Sequence, residues 1–588
     1  LGVARAAWEL EPDFAGGVLL LETAGLVVAA DASLYYRDDL RHALAAAGVT
    51  PAGDAPSHLI AAAWLAWGPG CVQRLEGDFA FVLWDRRERQ LFAARDLTGT
   101  RPLCYTVTGS ELALSSSLAA LAMRPGVSRQ FNQASIAEMI ISAASLAVDE
   151  TEFTAIRRLP AGHSLTWRAG TVTVERFAAG PHFDTGTRTD LREGGARLRQ
   201  VLGAAVHERM AGQGTTSVWM SGGYDSPSIF ALAQDAAGGQ HRVRPVSMSY
   251  PEGDTGREDE LIQSVADFHG VPVEWIRIGE VPPHRPMAEW AAHRDEAFAH
   301  HYEEWNRALS RGSRRAGGRI ALSGNGGDQF FSVSPVFLAD LLRSGRWVTL
   351  AREARALGFP ARGYRELFHW AIQPNLPGPL HNVIGRMRGG RPLRPHLQAA
   401  FPDWFPADPA LRQRLRERQW HYGRRQAGEH FSSAESNWYL NTSFGQRVGS
   451  LVSTIAHGEG VEVRSPMYDR RVLNLLASRS RAERFGDGEN KQLLRAAVDG
   501  LLPPEHLARR RKRTGLPGGY LVRVLPQTLE RAIAGLGGDF LLAELGVVDP
   551  ARFRATWERY QRQPQRESNS GAQLFEILAV EYWLKRWK

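Results

Sequence analysis

The chain has almost no cysteine: Cys71 and Cys104 are the only two in 588 residues. That excludes a disulfide framework and a thiolate metal site. Their settings, "GPGCVQRL" and "RPLCYTV", read as a turn and a strand, so both thiols are expected to be inert. Long apolar runs are missing too. No stretch reaches the roughly 20 residues that a membrane helix needs, and the first residues lack the basic-then-apolar order of a secretion signal. A cytoplasmic protein with no membrane partner is expected. Lysine is the sharpest shortage. All but four of the 71 basic residues are arginine, the exceptions being Lys491, Lys512, Lys585 and Lys588. Where nearly every generic positive charge is an Arg, an internal Lys marks a place that needs a compact ammonium. Lys491 and Lys512 are therefore candidates before any motif is considered. The other two lie in the terminal "YWLKRWK" and read as surface residues.

The net charge of +8 is spread along the chain and interleaved with acids, which suits a solvated surface and gives no nucleic-acid footprint. A basic cleft for a polyphosphate or an acidic peptide is the functional alternative, and charge alone does not choose between them. Length predicts two domains. Over residues 1–180 short apolar or alternating runs such as "GLVVAA", "DFAFVLWD", "RQLFAARD" and "TVTVERF" predict strands, interrupted by helical patterns at "RDDLRHALAAAG", "SHLIAAAWLAWG" and "QASIAEMIISAA". That mixture predicts an α+β sandwich with helices on its faces. The polar, small-residue stretch Ala178 to Asp190 is the predicted boundary. Beyond it strands alternate with helices, which predicts a parallel α/β sheet over the start of a domain spanning 190–588. From about Phe330 the pattern is chiefly helical and Arg-rich.

After the predicted strand "TSVWM" comes "SGGYDS", Ser221 to Ser226. In a parallel sheet such a loop lies at the carboxyl end of a strand and opens a helix whose N-H groups attract anions. Gly222 and Gly223 allow close backbone approach, and Ser221 and Ser226 add hydroxyls. A plain glycine turn fits those residues equally well. Asp225 changes the balance, because a carboxylate at a phosphate site needs an intervening cation such as Mg²⁺. The absence of GxxxxGK[ST] argues against a P-loop. A second strand-end loop, "SGNGGD", supplies Gly324, Asn325, Gly326 and Asp328. Asp225 and Asp328 would share one Mg²⁺ if their strands are neighbours; a helix cap is the competing role for Asp328.

These loops carry a specific resemblance. "SGGYDS" is similar to the SGGxDS pyrophosphate loop of ATP-pyrophosphatases, and with "SGNGGDQFF", "GEGVEVRSPMYDRRVL", "NKQLLRAAV" and "RRRKRTGLPGG" the chain resembles the asparagine synthetase family. "CVQRLEGDFAFVLWD" and "IRRLPAGHSL" extend the likeness to the N-terminal part. The resemblance implies an Ntn-amidotransferase-like sandwich over 1–180, followed by an ATP-pyrophosphatase domain of the adenine nucleotide α-hydrolase kind with a helical C-terminal region. It also implies ATP and Mg²⁺, adenylation of a substrate carboxylate, and attack by an amine. Ser247, Met248 and Ser249 would border the adenine, Lys491 would contact pyrophosphate, Lys512 would be catalytic, and Arg464 would orient loops or phosphate. The pattern departs from the family in three places. Leu1 stands where glutamine-dependent members start with a nucleophilic cysteine, no RGPD-like stretch occurs, and "DASLYY" replaces NGEIYN. The domain is therefore expected to keep the fold without hydrolysing glutamine, as in β-lactam synthetases and lasso-peptide cyclases. Asn325 replaces the residue that is glutamate or tyrosine in related synthetases, and an amide is no base at neutral pH. The leading expectation is a lasso-peptide macrolactam cyclase with a precursor peptide and its leader-processing proteins as partners; a small-molecule amide or β-lactam-type synthetase is the alternative. His300 and His301 in "HHYEEWNRAL" show no metal-binding spacing.

Overall fold

A computed structural model of the protein describes residues 18–21, 25–141, 147–183, 190–238, 242–359, 364–377, 380, 401–422, 429–486, 489–508, 518–564 and 568–588. The N-terminal part contains β1 (Val18–Leu21), β2 (Leu26–Leu34), β3 (Gly77–Asp85), β4 (Gln90–Arg95), β5 (Cys104–Thr108), β6 (Glu111–Ser115), β7 (Arg157–Arg158), β8 (His163–Arg168) and β9 (Thr171–Arg176). Six of these form an antiparallel sheet in the order β1-β2-β3-β4-β8-β9, and the rest form a second sheet in the order β6-β5-β7. The period of two in "DFAFVLWD" sorts its side chains by face. Phe79, Phe81 and Leu83 join Leu59, Ile60 and Ala63 of the helix Pro56–Trp67. Ala80, Val82 and Trp84 point the other way, into a core shared with Tyr105, Leu112 and Leu114 of the second sheet. Helices thus cover one face of the large sheet, while the small sheet covers the other.

Five more strands, β10 (Thr215–Trp219), β11 (Val243–Ser249), β12 (Glu274–Arg277), β13 (Gly318–Ser323) and β14 (Glu462–Arg464), form an all-parallel sheet in the order β12-β11-β10-β13-β14. Both faces are buried, as parallel sheets require. Val218, Ile320 and Leu322 pack against Leu198 and Leu202 of the helix Leu191–Arg209 and Ile229 and Phe230 of the helix Asp225–Ala237. On the opposite face, Val246 and Ile276 meet Ala308 and Leu309 of the helix Glu303–Arg315. The chain leaves β10 toward β11 and β12 on one side, then returns to place β13 and β14 on the other. Strand order therefore reverses between β10 and β13, and a crevice opens at the carboxyl ends of strands at such a point.

The two halves of the sequence share their largest apolar core. Ile136, Ile140 and Phe153 of the N-terminal part cluster with Leu529, Phe553, Leu578 and Trp583 of the C-terminal helices. A common core of this kind holds the two parts as one body, unlike a polar contact between loosely linked domains. Among the described residues no helix is long and apolar enough to cross a membrane.

Candidate active site

The crevice between β10 and β13 is lined by the two loops singled out in the sequence. After β10, the Ser221 N-H donates to Ser226 Oγ at 2.9 Å, and the Gly223 N-H donates to Ser221 Oγ at 3.3 Å, so serine hydroxyls shape the loop. The Gly222 N-H donates to Glu258 Oε2 at 2.8 Å. A carboxylate oxygen at that position shows that the glycine backbone presents its donor to an anion. The loop is also held from outside. His506 Nε2 lies 2.9 Å from the Gly223 carbonyl, and the Tyr224 hydroxyl donates to the Ala508 carbonyl at 3.2 Å.

After β13, Ser323 Oγ lies 2.9 Å from Ser465 Oγ, and the chain enters a single π-helical turn, Gly327–Phe331. Phe330 and Phe331 are buried and anchor the turn, leaving Asp328 facing outward. Glycine is required here by contact. A Cβ on Gly327 would fall 2.0 Å from Asp225 Cγ, and one on Gly324 would fall 2.6 Å from the Ser226 nitrogen. The second loop thus presses its backbone against the helix start of the first.

Lys491 brings the two aspartates together. It caps the helix Gln492–Ala497 in a left-handed conformation, φ 63°, which is uncommon outside glycine and needs support from its surroundings. Its Nζ donates to Asp225 Oδ2 at 2.7 Å and to Asp328 Oδ1 at 2.6 Å. Exposure is graded across the triad: the Lys491, Asp225 and Asp328 side chains are 12%, 18% and 82% exposed. Burial pushes the Asp225 carboxyl up to about 6 despite the ammonium pulling it down. Burial works against the charge on Lys491, but the two carboxylates outweigh it and hold the ammonium above its ordinary value.

The donor set fits a magnesium ion that is completed by a ligand. Asp225 Oδ1 is buried without a hydrogen-bond partner, and Asp328 is open to solvent. Among the described residues no group of three or more His, Cys, Asp or Glu gathers to hold a metal. Two carboxylates plus phosphate oxygens and water are the usual surroundings of Mg²⁺ in nucleotide enzymes.

The remaining candidates fall in different places. Asn325 is exposed, with its N-H near Ser323 Oγ. Ser247 Oγ donates to the Met220 carbonyl at the root of the glycine loop, and Ser249 Oγ donates to Asp259. Met248 turns to the opposite face and is buried with Val246, Tyr250 and Ile276. Arg464 is fully buried, donating to both oxygens of Glu462 and to the Arg209 carbonyl, so loop orientation suits it better than phosphate contact. His300 and His301 stack at 5.8 Å, and burial pushes them down to about 3 and about 4, which leaves both neutral. Both cysteines are buried with thiols pushed up to about 12, the state of an inert thiol. Lys512 and Leu1 lie outside the described residues.

Residues 197–585 match the family model described as asparagine synthase, and residues 18–178 match that of a glutamine amidotransferase domain. The chain belongs to the asparagine synthase family. Asparagine synthetase [glutamine-hydrolyzing] 3 of Bacillus subtilis is 27% identical over 226 residues, covering 38% of this chain and 36% of its own. Amidase chry2 of Gibberella zeae is 25% identical over 312 residues, covering 49% and 45%. A putative asparagine synthetase [glutamine-hydrolyzing] of Mycobacterium tuberculosis is 31% identical over 210 residues, covering 34% and 31%. The chain therefore spans less than half the length of these curated relatives. The solved Bacillus subtilis glutamine phosphoribosylpyrophosphate amidotransferase, complexed with ADP and GMP, shares 15% identity and covers 52% of this chain and 63% of its own. Its TM-score of 0.20 is too low to bear on the fold. For a member of the asparagine synthase family, the feature that the sequence left hidden is the role of Lys491 as the shared partner of both aspartates. Lysine scarcity had marked the residue, but nothing along the chain indicated its partners. Glu258 and His506 carried no signal at all.

Proposed function

We propose that the protein is an ATP- and Mg²⁺-dependent amide-bond-forming synthetase. It joins a substrate carboxylate to the α-phosphorus of ATP, releases pyrophosphate, and passes the acyl group to an amine with release of AMP. The observation that carries this reading is the convergence of Asp225 and Asp328 on one cationic centre, Lys491 Nζ, beside a glycine loop at the strand-order reversal. Family membership supports the same reaction class.

The residues divide the work. The backbone N-H groups of Gly222 and Gly223 and the hydroxyls of Ser221 and Ser226 would hold the pyrophosphate, with Glu258 yielding the Gly222 N-H. Asp225 and Asp328 would hold Mg²⁺, which supplies charge neutralisation at the phosphates when bound. Lys491 would contribute its ammonium to the same phosphates, and Ser247, Met248 and Ser249 would border the adenine. Lys512 would stabilise the oxyanion of the tetrahedral intermediate, a contact whose loss costs roughly 10² to 10³ in rate. Asn325 takes no proton in this scheme.

The finer reading is a macrolactam cyclase that closes a lasso peptide between its N-terminal amine and an Asp or Glu side chain. The altered "DASLYY" segment supports an amine supplied by the substrate and not by glutamine. The arginines of the helical region support it less than their number suggests. Arg418 already pairs with Glu138 at 2.7 Å and Glu150 at 2.8 Å, so it is committed to internal structure. The alternative, a small-molecule amide synthetase, draws support from the relative named an amidase, Amidase chry2 of Gibberella zeae. Incubation with ATP, Mg²⁺ and a leaderless core peptide separates these readings: pyrophosphate release with loss of one water from the peptide selects the cyclase. Release with small carboxylic acids and an amine, but with no peptide, selects the alternative.

A further inference from the structure

A continuous, buried polar network joins the N-terminal sandwich to the floor of the Asp328 loop. Residues 462–468 form that floor: β14 pairs with β13 from Ile320↔Glu462 to Leu322↔Arg464, Ser465 bonds Ser323, and Met467 lies so close to Gly326 that a Cβ there would sit 3.0 Å away. Tyr468 packs edge-on against Phe330 at 5.4 Å. The sandwich grips this floor at two points. At the first, Arg101 Nη2 donates to Glu462 Oε1 at 2.9 Å, Ser33 Oγ donates to the same oxygen, and Arg101 Nη1 lies 2.9 Å from His457 Nε2. At the second, just past the end of the floor, Asp469 accepts from the Tyr36 hydroxyl at 3.0 Å and Arg470 is held by Glu76 and the Leu75 carbonyl, while Arg209 of the helix Leu191–Arg209 donates to the same Asp469 carboxylate at 2.6 Å.

Tyr36 is held in a left-handed conformation, φ 51°, with its N-H donating to Glu208 Oε2 at 2.6 Å. A bulky residue persists in that conformation only when its surroundings over-determine it. Arg101, Glu462, Arg464, Arg209 and Asp469 are all buried. Buried charges hold one geometry because each has few alternative partners. Ser33, Tyr35 and Tyr36 belong to "DASLYY", the segment whose sequence departs from the glutamine-dependent pattern.

We infer that the N-terminal sandwich positions the Asp328 loop of the synthetase site, with Arg101 and Tyr36 as the positioning residues. The inference rests on the proposed function for the identity of the site, though its geometry does not depend on the substrate.

The test is amide hydrogen exchange of the full chain, read by mass spectrometry, for the parent, Arg101→Met and Tyr36→Phe. Binding of Mg²⁺ with α,β-methylene ATP is measured alongside by calorimetry. Expected is exchange about tenfold faster in 324–331 and 462–468, with the helix Asp225–Ala237 unchanged, because local opening is governed by local contacts. Nucleotide affinity is expected to fall about tenfold in Arg101→Met, and Arg101→Lys to recover part of it. Tyr36→Phe removes a single hydroxyl, so it provides the exchange reading even if Arg101→Met fails to fold. Unchanged exchange in 324–331 in the folded variants overturns the inference. A parent that binds no nucleotide while its variants show the expected exchange sinks the proposed function and leaves the positioning role standing.

Discussion

Lys491 Nζ donates to Asp225 Oδ2 at 2.7 Å across 266 residues of sequence, and the same nitrogen reaches Asp328. An ammonium between two carboxylates occupies the position that a divalent cation and phosphate would contest. It also keeps Asp225 ionised against burial that would neutralise it.

Lys491→Met tests which of those two effects dominates. Without the ammonium, the Asp225 carboxyl is expected to rise beyond about 6, so near pH 7 it is partly protonated and a poorer ligand. Affinity for Mg²⁺ with α,β-methylene ATP is expected to fall about twofold at pH 7 and to recover at pH 8.5, as a shift of about one unit would give. Tighter binding at both pH values would show that Lys491 only competes with the ligand.

Gly327→Ala places a methyl 2.0 Å from Asp225 Cγ, which cannot be accommodated without moving the carboxylate. Since a displacement of about 1 Å can cost 10²-fold in rate, pyrophosphate release is expected to fall by about that factor. Circular dichroism of the variant is expected to match the parent. Parental turnover in a folded Gly327→Ala would mean that Asp225 does not need this position.

Lys512→Ala is expected to lower pyrophosphate release by roughly 10² to 10³ with the melting temperature unchanged. Turnover within a few-fold of the parent would remove the proposed role of Lys512.

The neutral, half-buried His301 provides a pH prediction. Its pKa is pushed down from 6.5 to about 4 by burial, with His284 adding to the effect. Between those values the unfolded chain binds a proton that the folded chain refuses, so this residue's contribution is full above about 6.5 and is lost as pH falls toward about 4. The stability of His301→Asn relative to the parent is therefore expected to improve as pH falls through that window. Urea midpoints at pH 7.5 and pH 5 measure it, and an unchanged difference would show that His301 titrates normally.

Much of this architecture was legible in the chain because it is local. The run "DFAFVLWD" identified the strand β3, and the strand-loop-helix texture around "SGGYDS" predicted the parallel sheet. The glycine and aspartate motifs marked the two loops that the fold brings into contact. What stayed hidden depends on distant contacts. The Lys491 bridge joins positions 225, 328 and 491, and the Arg101–Glu462 pair spans 361 residues, so neither leaves a periodic or spacing signal. The small sheet on the second face of the sandwich was likewise obscure, since β7 is only two residues long.

The most direct measurement is Mg²⁺-dependent pyrophosphate release from ATP, assayed across a panel of core peptides and small carboxylic acids with the parent, Asp225→Asn and Asp328→Asn. The proposed function requires release that depends on a carboxylate, with AMP as the other nucleotide product, and about 10²-fold or greater loss in both folded variants. ADP as the product, or parental release by Asp225→Asn, would contradict it.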